Sequence, residues 1–342
     1  KLIKPNQKIS QKIIEITGID NSLVADAPSF EEVIDDFISF VDNSIIVAHN
    51  AEFDLEFINQ NIRKYSKQIK FKAVCDTLLL SRSFLFSLEK FNLEFLSHYF
   101  GLEHKAHRAR ADAFNTGIIL IRLIEQMLST PIEVFEKINM ICDDKEVYNK
   151  LLYLNIFNFI KSNKSYKIKP IKDFYVRDNV LNNKKSPNND FSDDINRWFD
   201  SEGKLSKTWS DYQKRDTQSE LSSEIYSNFS NSSVLVAEAG AGLGKSLSYL
   251  IAGLKYAKEN NKKLIISTYT KALQEQLFYK DIPILVDKLN LNLKAIILKG
   301  KNNYLSKIKL NNIIHKDYIN MKDKEINECI TLIVWSFFTK TG

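Results

Sequence analysis

Three short groups of residues have the types and spacing to do chemistry. The first is VLVAEAGAGLGKSLSYL, where Gly240, Gly242 and Gly244 precede Lys245 and Ser246. Glycines let successive backbone N–H groups turn inward without a side-chain clash, and a helix that follows points its positive end at the same place. An apolar run before and helical spacing after predict strand, loop and helix. The backbone of Gly240, Gly242, Leu243 and Gly244 would then surround the phosphates of ATP. Lys245 would reach the β- and γ-phosphates, and Ser246 Oγ would bind Mg²⁺. The strict pattern GxxxxGK[ST] has Ala239 in its first place. The plain alternative is a glycine-rich turn with a chance Lys-Ser pair.

The other two groups are VAHNAEFDLEFI, with Asp54, and AHRARADAFNTG, with His107 and Asp112. Asp54 falls on the first turn of a predicted helix just past a buried strand, and Asp112 opens a long amphipathic helix. Carboxylates from two elements with a histidine nearby suit two-metal phosphodiester hydrolysis. The carboxylates hold Mg²⁺ or Mn²⁺, and the histidine takes a proton from the attacking water. Taken singly, either Asp reads more often as a helix cap, and a lone His is more often structural; the pair of motifs in this order is the stronger signal. His104 is a second histidine, but the spacing to Asp112 favours His107.

Several elements must position these groups. VDNSIIVAHN and KFKAVCDTLLLSR read as strands running into helices, and AEFDLEFINQNIRKY, LEKFNLEFLSHYFG and ADAFNTGIILIRLIEQML as helices, the second ending at Gly101. Residues 131–165 are predicted helical, and 165–205 turn polar, with Pro170 and Pro187, as in a linker. From residue 209 the pattern alternates. Helical YQKRDTQSELSSEIYSNF is followed by strand SSVLVAEAG, helix KSLSYLIAGLKYAKENN, strand KKLIISTYT, helix KALQEQLFYKDI and strand KAIILKG. Alternation of this kind predicts a parallel sheet covered by helices. The expected organisation is α/β: a domain over 1–130, a helical segment and linker over 131–205, and a second domain over 206–342.

The chain of 342 residues suits about two domains. Its 48 basic and 42 acidic residues leave a net charge of +6. That mild excess fits a nucleic-acid partner and a solvated lysine-rich surface equally. Cys75, Cys142 and Cys329 are too scattered for a disulfide framework or a metal cluster, which points to a reducing cytoplasm. The lack of an apolar run of about 18 residues argues against a membrane span. The start at Lys1 and the stop at TKTG suggest a fragment truncated at both ends.

Two family resemblances sharpen these expectations. EAGAGLGKS resembles motif I of the DinG/XPD-type helicases of superfamily 2, and STYTKALQEQL their motif Ia. This implies that Thr268, Thr270 and Gln274 lie along a DNA strand; an ordinary polar strand end and helix start is the alternative. YQKRDTQ resembles the family's adenine-recognition motif, which implies Arg215 and Gln218 near the base and Tyr212 stacking on it. LKGKNNYLSKIKL resembles a landmark after which the iron–sulfur members carry a cysteine. Ser306 stands there and only Cys329 follows. Because thiolates hold such clusters, no iron–sulfur cluster is expected. The final VWSFFTKTG resembles the segment ahead of the Walker B acidic pair, and the dipeptide Asp-Glu occurs nowhere in the chain.

VAHNAEFDLEFI and HRARADA resemble the second and third motifs of DnaQ-like (DEDDh) exonucleases, over about residues 1–128. The resemblance implies a ribonuclease H-like domain with its opening strands missing. Asp54 and Asp112 become metal ligands and His107 the general base. The family's first motif, D-x-E, would lie upstream of Lys1. Together the two resemblances imply a 3′-5′ exonuclease joined to the start of a RecA-like P-loop motor of an ATP-dependent DNA helicase. Its substrate would be DNA, single-stranded or with a 3′ end, with RNA left open. A non-catalytic nucleic-acid- and nucleotide-binding protein is the other reading, if the chain is complete as given.

Overall fold

The computed structural model describes residues 1–103, 109–163, 180–182, 194–210, 212–240, 242, 244–289 and 291–339. By contact the chain divides into two compact units, Lys1–Arg177 with Leu305–Gly342, and Asp178–Tyr304.

The first unit starts with helices α1 (Gln11–Thr17) and α2 (Phe30–Val41), the latter opened by a Ser29–Glu32 capping box. Strand β1 (Ile45–Ala48), helix α3 (Ala51–Arg63) and strand β2 (Ala73–Asp76) then form a β-α-β turn. The strands pair in parallel from Ile45 opposite Ala73 to Ala48 opposite Asp76. Helix α3 buries Ala51, Leu55 and Ile62, the side its apolar spacing predicts. Helix α4 (Thr77–Phe84) leaves β2 without a loop. It is followed by α5 (Leu93–Tyr99), α6 (Ala109–Leu128), α7 (Ile132–Cys142) and α8 (Lys150–Ser162). Gly101, past the end of α5, has φ +71°, the left-handed conformation a glycine accepts without penalty.

The core of this unit lies among α4, α6, α7 and α8. Leu80, Phe84, Ile119, Leu123, Phe135, Ile138 and Tyr153 are buried there. Phe84 stacks on Phe135 with ring centroids 5.9 Å apart.

The second unit contains strand β3 (Val180–Asn182) and helices α9 (Ile195–Phe199), α10 (Lys204–Thr208), α11 (Asp216–Ser230), α12 (Lys245–Glu259) and α13 (Lys271–Gln276). A π-helical turn (Leu277–Asp281) leads into α14 (Ile282–Lys288), and strand β4 (Lys294–Ile296) pairs antiparallel with β3. Trp198, Phe199, Leu205, Leu250, Ile251 and Leu285 form its core. Reciprocal bonds lock α11 to α12: Ser222 Oγ donates to Ser248 O (3.1 Å), and Ser248 Oγ to Gln218 O (3.2 Å). Helices α15 (Lys307–His315) and α16 (Asp323–Phe338) complete the first unit, where Ile326, Ile330 and Ile333 are buried.

The described residues are therefore mostly helical, with two two-stranded sheets. The parallel sheet expected after residue 209 is the main departure from the sequence reading. SSVLVAEAG and KKLIISTYT run without strand pairing, and KAIILKG yields only β4. A strand needs neighbours for its backbone groups, whereas a helix satisfies them within itself. The contact units also divide the chain differently from the compositional boundaries. Helices α7 and α8 carry apolar faces that bury in the first unit, α9 and α10 bury in the second, and residues from Leu305 onward return to the first. Among the described residues no helix is long and apolar enough to cross a membrane.

Candidate functional site

His49, Asn50 and Asp76 meet around the C-terminal ends of β1 and β2, with Asp54 on the first turn of the helix that follows β1. β1 ends at Ala48, and His49 and Asn50 turn the chain into α3. Asn50 takes a left-handed conformation, φ +76°, and its own side chain makes no capping bond. The cap comes from across the sheet: Asp76, at the end of β2, accepts from Asn50 N (3.2 Å) and Ala51 N (2.9 Å). The same carboxylate accepts from Leu78 N (2.8 Å) and Leu79 N (3.2 Å), capping α4. His49 is pinned by two contacts, Nδ1 to Thr77 Oγ1 (2.9 Å) and Nε2 to Phe91 O (2.8 Å). Burial pushes its imidazole below the usual value; the Phe91 carbonyl and Asp76 oppose that shift, and Arg82 adds to it.

Asp54 stands on the first turn of α3 with its outer side open to solvent. Partial burial raises its carboxyl above the ordinary range, and the negative charge of Asp76 raises it further. Asp112 lies half-buried on the first turn of α6, the helix that contacts β1. His107 and His104 lie outside the described residues.

Two divalent cations need more oxygen donors than two aspartates supply. Among the described residues no group of three or more His, Cys, Asp and Glu is placed to hold a metal ion. Asp54 and Asp112 are thus not joined by a third such donor among the described residues.

The glycine loop is the second cluster. Gly242 and Gly244 both have positive φ, +79° and +73°, while Leu243 lies outside the described residues. Lys245 opens α12, and its Nζ donates to Ala239 O (2.6 Å) and Gly240 O (3.3 Å), so the ammonium sits in the turn of the loop. Tyr249 OH donates to Ser246 Oγ (3.4 Å). Arg215 donates to Gly242 O, and Gln218 Nε2 to Gly244 O (3.1 Å). The two residues of the R-x-x-Q spacing thus meet the loop directly. Tyr212 instead turns its hydroxyl to Phe199 O (3.0 Å).

Thr268, Thr270 and Gln274 sit on a further stretch. Thr268 Oγ1 donates to Thr270 O (3.2 Å), Thr270 Oγ1 caps α13 by accepting from Leu273 N (3.2 Å), and Gln274 Nε2 donates to Leu298 O (2.7 Å). Ser306, at the cysteine landmark, caps α15 by accepting from Lys309 N (3.3 Å).

Asp76 and His49, which fix the turn into α3, were not singled out by the sequence reading. Asp76 had a signal, since an Asp at the junction of an apolar strand and a helix is an N-cap position. That it caps two helices depends on the β1–β2 pairing and has no local signature.

Residues 1–120 match the family model described as an exonuclease, RNase T. The 3′-5′ exonuclease DinG of Bacillus subtilis (strain 168) is 32% identical, over 100% of this chain and 37% of that protein. The 3′-5′ exonuclease DinG of Staphylococcus aureus (strain MRSA252) is 28% identical over the same shares. The chain thus spans 37% of the length of the curated relatives it matches. Residues 1–120 thus match an exonuclease family model, and the chain as a whole is similar to the N-terminal 37% of DinG-type 3′-5′ exonucleases.

Proposed function

We propose that this chain belongs to a bifunctional 3′-5′ exonuclease and ATP-dependent DNA helicase of the DinG type. The N-terminal domain removes nucleotides from a 3′ end of DNA, and a RecA-like motor lobe beginning near residue 206 binds and hydrolyses ATP. The observation that carries the nuclease half is the pair of aspartates on helix first turns, within a domain that matches an exonuclease family. In this reading Asp54 and Asp112 are metal ligands for Mg²⁺ or Mn²⁺, and His107 takes the proton of the attacking water. Further carboxylates must complete the donor set.

Support for the ATP half is the meeting of Arg215, Gln218, Lys245 and the glycines Gly240, Gly242 and Gly244 at one loop. Leu243 contributes its backbone, Ser246 holds Mg²⁺ with the nucleotide, and Thr268, Thr270 and Gln274 contact DNA. The three cysteines are buried free thiols, which supports a reducing, cytoplasmic setting.

The test is a nuclease and ATP-binding assay on the full-length gene product, using a single-stranded DNA with a free 3′ end. Asp54→Ala and His107→Ala should each lower end removal by about 10²-fold or more while ATP binding persists. Lys245→Ala should abolish ATP binding and leave the nuclease intact. A fully active Asp54→Ala variant would sink the nuclease site, and ATP retained by Lys245→Ala would sink the loop. The second reading is a non-catalytic nucleic-acid- and nucleotide-binding protein. A wild-type protein that binds DNA and ATP but turns over neither would establish it.

A further inference from the structure

Asp76 is buried to 3% exposure, and its carboxylate is held by four backbone N–H groups. Two belong to the start of α3 and two to the start of α4. Carboxylates are favoured at helix N-termini, and bonds from N–H groups to a charged acceptor are the stronger kind. Asp54 lies one turn into α3, so the orientation of its carboxylate depends on where Asp76 fixes that first turn.

Asp76 is in turn held from outside the exonuclease match. Asn149 precedes α8, beyond residue 120, where the family match ends. Its backbone N donates to Val74 O (2.8 Å), its Oδ1 accepts from Asp76 N (2.8 Å), and its Nδ2 donates to Asp76 O (3.3 Å). The side-chain amide thus serves as a second peptide group and extends the ladder along β2. Asn149 is 1% exposed and has φ +66°. A buried asparagine accepts a left-handed backbone more readily than bulkier residues do, and here it also satisfies both backbone groups of Asp76.

We propose that Asp76 and Asn149 are positioning residues for Asp54, which makes the α7–α8 segment a working part of the exonuclease site. The proposal rests on the reading of Asp54 as a site residue. The chain of contact runs from Asn149 to the backbone of Asp76, from its carboxylate to Asn50 N and Ala51 N, and so to the turn that carries Asp54. Cutting the protein after residue 130, as composition suggests, would remove its first link.

Two variants of the full-length protein test this. Asn149→Gly keeps the left-handed backbone and the bond to Val74 O and removes only the side-chain amide. Asp76→Asn keeps the size but sets an amide group against N–H donors. Each should lower kcat for 3′ end removal by about 10–100-fold, as lost supporting contacts at a site typically do. KM for DNA should stay within about 2-fold, since ground-state binding is untouched. The Mn²⁺ concentration giving half-maximal rate should rise, and ATP binding should not change.

If Asp76→Asn fails to fold, Asn149→Gly decides the matter. An unchanged kcat in folded Asn149→Gly overturns the proposal. So does a loss that tracks the unfolded fraction and vanishes on cooling. Asp54→Ala run alongside separates the two claims. If it is inactive while Asn149→Gly is normal, the positioning role falls and the site stands. If it is active, the site reading itself falls.

Discussion

The two units carry their clusters on opposite kinds of support. In the first, β1 and β2 are paired, and a buried carboxylate joins the two helix starts that follow them. In the second, helices α11 and α12 bring Arg215 and Gln218 to the glycine loop, but the apolar segments beside the loop are bare. Val234, Val236 and Ile265 are 89%, 92% and 89% exposed. A helix closes its own hydrogen bonds, while a strand depends on chain from elsewhere. Contacts made from helix N-termini therefore form locally, and contacts that need a sheet wait for their partners. The first unit meets the same limit on the face of β1, where Ile45 and Val47 are exposed.

The largest effect that would sharpen this contrast lies in the two apolar sets. Phe84 is fully buried and stacks on Phe135, so Phe84→Ala should cost about 3–5 kcal/mol in urea unfolding. Val236→Ser removes a side chain that touches little and should stay within about 0.5 kcal/mol. A cost above about 1 kcal/mol for Val236→Ser would break the contrast, because it would mean that this segment is packed in solution.

A smaller effect is expected at the loop itself. Gly244 has φ +73°, and a Cβ there would lie 1.8 Å from Gln218 Nε2. Gly244→Ala must therefore strain the backbone by about 1–2 kcal/mol and push Gln218 off Gly244 O. ATP affinity measured by titration should fall with little change in end removal. Unaltered ATP affinity would mean that the contact between Gln218 and the loop has no part in nucleotide binding.

Legibility in the sequence followed the same divide. Helical spacing located α3, α6, α11 and α12, because each pattern is local. The strand patterns at SSVLVAEAG and KKLIISTYT express an apolar preference, but whether a strand pairs depends on distant residues. Asp54, Asp112 and Lys245 were visible because each opens a helix after a characteristic run. Asn149 was not visible: its role requires α8 to return to the open edge of β2. Nothing in EVYNKLLYL signals that return. Likewise α16 was not read from the sequence, and its burial in the first unit rather than the second has no local signal.

The smallest effect concerns pH and tests whether the hinge between β1 and α3 is as closed as its contacts suggest. Burial holds the His49 pKa below its ordinary value of 6.5. A group whose folded-state pKa is depressed contributes stability that is present above the unfolded value and lost as pH falls through the folded one. The first unit should therefore lose stability as pH drops below about 6.5. The neutral ring donates from Nε2 to Phe91 O, so Nδ1 is the acceptor and the single Thr77 hydroxyl proton is shared between Nδ1 (2.9 Å) and Ala48 O (3.2 Å), an assignment inferred from the contacts. Protonation makes both nitrogens donors and places a charge where water is largely shut out. In His49→Gln the urea midpoint should vary less between pH 7 and pH 5 than in the wild type, with the two proteins converging toward the acid end. Parallel pH curves for both proteins would mean that His49 titrates as it does in the unfolded chain, and that water reaches the turn carrying Asp54 more freely than these contacts imply.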